Sequence, residues 1–144
     1  MNWYLKVLKN YANFDGRARR KEFWMFVLFN FLFTIAAMIL DGILGSQIGR
    51  TPYGFVYVIY ALAMIIPNIA VVVRRLHDIG KSGGWFFISL IPVIGGIWMI
   101  VLLATEGNAG ENEYGEDPKA EEDSVLISKL KILFLSLYHK TTLS

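Results

Sequence analysis

Two groups of basic side chains offer the clearest chemistry in this sequence. Arg17, Arg19 and Arg20 sit just before a long apolar block, and Arg74, Arg75 and Lys81 lie between two others. Guanidinium forks suit phosphate because they can bind it through two parallel N–H donors. An anionic lipid headgroup is the natural partner if both groups meet at a membrane surface. The same residues also serve to set topology. His77-Asp78 invites an acid–base reading, but adjacent residues on a helix point in different directions. Asp78 is expected to pair with Arg74 or Arg75, or to cap a turn at Gly80. The one other histidine is His139, and there is no cysteine. A histidine-rich metal site and thiolate chemistry are therefore excluded. Gly80, Gly83 and Gly84 match no phosphate-loop pattern, and the acidic stretch Gly107–Pro118 lacks the frame of a calcium loop. That stretch is expected to turn compactly, with Asn112 and Gly115 in special backbone conformations. No cofactor pattern stands, and the expectation is a protein without catalytic residues.

The elements that carry these residues are apolar. Hydrophobic residues make up 55% of the 144 and charged residues 18%, against about 25% charged in ordinary soluble domains. The apolar residues fall in long uncharged blocks, which predicts an all-α membrane protein rather than a soluble enzyme. Phe23–Leu44, Tyr53–Val73 and Trp85–Ala104 hold 22, 21 and 20 residues, enough for three transmembrane helices of roughly 30 Å each. The first block is too long for a signal-peptide core and is expected to remain as a span. Nine basic residues flank the N-terminal and second-loop side, and Arg50 alone lies opposite. This bias predicts a cytoplasmic N-terminus, with the chain after Ala104 outside. A net charge of +2 gives no basic field for nucleic acid.

Smaller features complete the expected architecture. Trp3, Tyr4, Val7, Leu8 and Tyr11 recur at helical spacing, predicting an N-terminal amphipathic helix at the membrane interface. Asn30, Asn68 and Ser89 fall at similar depth in the three blocks and are expected to share an intramembrane hydrogen-bond layer. Asp41, at the end of the first block, is expected to reach water. Residues 1–119 read as the membrane domain and 120–144 as a C-terminal extension. Within it Val125–Tyr138 is a short apolar helix, interfacial or packed, because Lys129 and Lys131 oppose a fourth span. Glu121, Glu122, Asp123 and Ser124 suit its start.

Three motifs mark the polar segments. They are Phe14-Asp15-Gly16-Arg17-Ala18-Arg19-Arg20-Lys21-Glu22-Phe23-Trp24, then Arg74-Arg75-Leu76-His77-Asp78-Ile79-Gly80-Lys81-Ser82-Gly83-Gly84-Trp85, then Gly107-Asn108-Ala109-Gly110-Glu111-Asn112-Glu113-Tyr114-Gly115-Glu116-Asp117-Pro118. This set, in this order, resembles the bacterial family catalogued as domain of unknown function 805, over about residues 1–119. The resemblance implies a small polytopic inner-membrane protein with no established biochemical activity. That family usually has a basic residue at the place of Glu113 and often a proline at that of Glu116. The function expected is non-enzymatic, through anionic-lipid or protein contacts at the basic cytoplasmic face. Membrane lipids, a second copy or a membrane protein are the expected partners. The alternative is a subunit of an oligomeric small channel or transporter, since three helices alone barely enclose a pore.

Overall fold

The computed structural model describes residues 2–142, and all their regular elements are helical. Helix α1 is Asn2–Lys9, α2 is Arg20–Leu44, and α3 is Phe55–Asp78. A 3-10 helix covers Gly83–Leu90, followed by α4 at Ile94–Ala104 and α5 at Ala120–Thr142. With 25 and 24 residues, α2 and α3 each extend about 36 Å, long enough to cross a bilayer. They pack as a pair, and α1 lies across both. Its apolar side faces inward: Tyr4 and Val7 are buried, while Leu5 and Lys9 are exposed.

The turn between α2 and α3 is fastened by Asp41. Gly45 ends α2 in the left-handed conformation (φ 65°), which favours a residue without Cβ. The Asp41 carboxylate then accepts the backbone N–H groups of Gly54 (3.1 Å), Val56 (3.0 Å) and Tyr57 (2.8 Å), and the Ser46 hydroxyl. One helix thus supplies the anion that caps the next, where orphan N–H groups and the dipole favour negative charge. Asp41 is fully buried. The expectation that it reaches water is overturned, because those donors hold it inside the turn. Within α3, Pro67 cannot donate to the carbonyl of Ala63. The Tyr11 hydroxyl donates to that carbonyl instead.

The third apolar block departs most from expectation. Trp85–Ala104 is not one helix. The chain runs as a 3-10 helix to Leu90 and turns at Ile91-Pro92-Val93 before α4 begins. Val93 takes φ 64° and ψ −63°, and the Ile94 N–H donates to the Pro92 carbonyl at 2.7 Å. This is a γ-turn, a strained geometry for a β-branched residue. A side chain at Gly95 would collide with the Ile88 carbonyl, so glycine allows the two arms to close. The 11 residues of α4 span only about 16 Å, half of a hydrocarbon core. Both feet of this hairpin stand at one end of the α2–α3 pair. Gly83 abuts Val73, and the carbonyls of Leu103 and Thr105 meet Arg75. The segment after Ala104 therefore lies at the same end as Arg17, not at the opposite end as three straight spans require.

The polar layer also resolves differently. The Asn30 side-chain Oδ1 accepts the Tyr60 hydroxyl at 2.6 Å, and that hydroxyl lies 3.3 Å from the Tyr4 hydroxyl. Asn68 donates back to Met64 O and Ser89 to Phe86 O, each within its own helix. A side chain that bonds its own preceding turn has less to offer a neighbour. The interhelical chain is Asn30–Tyr60–Tyr4.

Candidate functional site

At the end where α2 starts and α3 finishes, the three motifs meet. Asp78 closes α3 and is almost fully buried. Its Oδ1 accepts Arg17 Nε at 3.0 Å, and its Oδ2 accepts Arg75 Nη1. Arg17 spends its remaining N–H groups on backbone carbonyls of the third motif, those of Asn108, Gly110 and Gly115. Arg75 donates onward to Leu103 O (3.0 Å) and Thr105 O, the carbonyls that end α4. A cation here suits the negative end of a helix. One carboxylate and two guanidiniums thus tie the start of α2, the end of α3, the end of α4 and the loop after it.

Backbone and aromatic contacts complete the clasp. Ala18 N–H donates to Arg74 O (2.9 Å), and Asn108 N–H to Asp78 O (2.7 Å). The Asn112 amide donates to His77 O at 2.9 Å. His77 Nδ1 lies 3.1 Å from Gly16 O, and its ring stacks on Tyr114 at 4.0 Å with an interplanar angle of 2°. Two glycines permit this approach. Gly80 adopts φ 70°, and a Cβ there would sit 2.6 Å from the Asn108 amide nitrogen. A Cβ on Gly107 would strike the Asp78 carboxylate. Burial pushes the Tyr114 hydroxyl above its usual range. The Asp117 carboxyl is held below its own by the Lys119 N–H and, less strongly, the Gly110 N–H.

Arg74 faces the other way. Its Nη1 donates to Glu22 Oε1 at 2.9 Å, and Lys6 Nζ lies 3.4 Å from Glu22 Oε2. Glu22 is fully buried. Arg74 Nε and Nη2 have no hydrogen-bond partner among the described residues.

The candidate anion-binding residues therefore divide into two sets. Arg17, Arg74 and Arg75 are buried and turned inward. Arg19, Arg20 and Lys81 stay at the rim. Arg19 pairs with Glu122, and Arg20 lies 4.0 Å from Glu106. The Lys81 ammonium sits 4.3 Å from the centre of the Trp85 ring. Lys119 donates to Glu106 at 2.7 Å and is the main cause that holds that carboxyl below its usual range. Rim and third motif enclose a cleft of about 400 Å³ lined by Arg20, Lys21, Trp24, Glu106 and Lys119 among others. Sequence reasoning missed Glu22 and the loop carbonyls. Glu22 stands inside the first motif, and its place beside an apolar block is the signal that could have marked it. The described residues contain no group of three potential metal ligands.

Two long apolar helices, a broken apolar hairpin and an arginine–aspartate clasp at one end define a helical membrane protein. The chain belongs to the family described as protein of unknown function DUF805, whose model matches residues 11–116. Inner membrane protein YhaH of Escherichia coli (strain K12) is 49% identical over 121 residues, which cover 84% of this chain and 99% of that protein. Inner membrane protein YhaI of the same strain is 45% identical over 119 residues, 83% of this chain and 97% of that one. The uncharacterized protein YiiR of that strain is 29% identical over 131 residues, with shares of 73% and 85%. No solved structure matches the chain.

Proposed function

We propose that this is a non-enzymatic inner-membrane protein that works by holding anionic lipid headgroups at a basic cytoplasmic rim. In this reading α2 and α3 cross the bilayer with Arg20 and Asp78 on the cytoplasmic side. The excess of lysine and arginine at that end supports the orientation. The observation that carries the proposal is the division of the cations. Arg17 and Arg75 are held inside by Asp78 and Arg74 by Glu22. Arg19, Arg20, Lys21 and Lys81 stay at the surface, with Arg19 and Lys21 beside Trp3, Lys81 beside Trp85, and Arg20 and Lys21 lining one cleft with Trp24. Indoles and basic side chains at one level are what a headgroup region accommodates. Each cation near an anionic surface contributes on the order of 1 kcal/mol, and salt reduces it. Catalysis by His77 is disfavoured because its ring is stacked on Tyr114 and its Nδ1 is held against Gly16.

The test is lipid retention read by native mass spectrometry from a mild detergent. Arg20→Gln with Lys81→Gln should reduce bound anionic lipid by about tenfold or more and leave neutral lipid unchanged. Equal retention by wild type and double variant would defeat the proposal.

A further inference from the structure

Trp3 is ringed by cations. Lys6 Nζ and Lys21 Nζ each lie 5.7 Å from its ring centre, and Arg19 Cζ lies 5.8 Å from it. Three positive groups around one indole repel each other unless anions intervene. Glu22 supplies one, beside Lys6 and beneath the surface. The other is Glu122, from the first turn of α5, which pairs with Arg19. Lys21 has no carboxylate partner among the described residues. Trp3, Lys6, Arg19, Pro118, Glu122 and Val125 enclose a cleft of about 280 Å³. The floor of the cleft comes from α1 and the start of α2, and its lid from Pro118 and α5. The lid residues fall after residue 116, where the family match ends.

We propose that this cleft is a phosphate site for an anionic lipid headgroup, and that the Glu122 carboxylate occupies it as an internal stand-in. A carboxylate can serve the Arg19 fork, but it brings only two oxygens and one charge. A phosphate offers oxygens to Arg19 and Lys6 together, with the Lys21 charge at the same indole, and charge-assisted bonds of this kind are the strong ones. The indole gives the glycerol end of a lipid an amphipathic wall. The α5 extension therefore competes with lipid for its own protein. The inference rests on the rim reading for its lipid class and shares Arg19, Lys21 and Trp3 with it, but its test turns on Glu122, which that reading does not use.

Full-length protein in mild detergent, titrated with phosphatidylglycerol and followed by native mass spectrometry, tests this directly. Glu122→Gln should tighten binding about fivefold, the worth of one unit charge at an anionic surface. Glu116→Gln removes the same charge from the neighbouring loop and should change nothing. In a Lys6→Gln/Lys21→Gln background the gain from Glu122→Gln should vanish. Free glycerol phosphate at millimolar concentration should not displace the lipid. Wild-type affinity in Glu122→Gln, an equal gain in Glu116→Gln, or a gain that survives loss of both lysines would each overturn the site. Displacement by glycerol phosphate would overturn the lipid assignment in favour of a soluble phosphate ester. Lipid loss in Arg20→Gln/Lys81→Gln without any effect of Glu122→Gln would leave the rim reading standing and remove this one. The reverse pattern would remove the rim and keep the pocket.

Discussion

Asp78 serves two buried guanidiniums at once, so its loss strands both. Removing one partner of a buried ion pair costs about 3–5 kcal/mol, chiefly because the other charge stays desolvated. Asp78→Ala should therefore lower the detergent melting temperature sharply, and more than Arg20→Gln at the rim, where exposed pairs contribute little. Equal melting of the two variants would show that the clasp is not what holds this end together. The sequence makes part of this readable. Asp78 lies one helical turn from Arg74 and Arg75, and the expected pairing is realised with Arg75. The pairing with Arg17 spans 61 positions and has no local signal. The carbonyls of Asn108, Gly110 and Gly115 carry no side-chain identity, so no reading of residue types can single them out as acceptors.

Among the elements, α2 and α3 follow directly from block length and hydropathy. Trp85–Ala104 does not, although Pro92 and Gly95-Gly96 are visible in it. A proline is tolerated in α3, where Tyr11 serves the freed carbonyl. In the third block the proline is joined by a glycine pair and a γ-turn, and the chain reverses. Both blocks carry a proline, and the glycine pair together with the partner of the freed backbone separates them. The hairpin predicts sidedness. With no native cysteine, single cysteines at Ser82 and at Glu111 can be treated with an impermeant thiol reagent. Both should react from the same side of the membrane, and Ser46→Cys from the other. Labelling of Glu111→Cys together with Ser46→Cys would restore a third complete crossing.

At the scale of the whole molecule, α5 stands apart from the other helices. It is longer than the expected Val125–Tyr138, because the acids before it extend the first turn to Ala120. Every residue of α5 whose side chain is described is exposed. Relatives YhaH and YhaI are matched over 99% and 97% of their own lengths by 121 and 119 residues, about the span that precedes α5. Truncation after Lys119 should therefore leave the melting temperature within the worth of one exposed ion pair, about 0–1 kcal/mol, since Arg19–Glu122 is the ion pair it removes among those of the described residues. A large drop would mean that α5 supports the body of the fold.

The returning hairpin also has a consequence of parity. In the proposed topology the chain crosses an even number of times, so sequence appended at the C-terminus emerges in the compartment that holds the N-terminus. Extensions can then be gained, lost or exchanged without reversing the protein in its membrane. A newly added segment meets the basic rim from the outset. An odd-numbered relative of the same size would deliver the same addition to the far side, where nothing on this protein could respond to it. An acidic residue such as Glu122 could thus become a regulator simply by being appended.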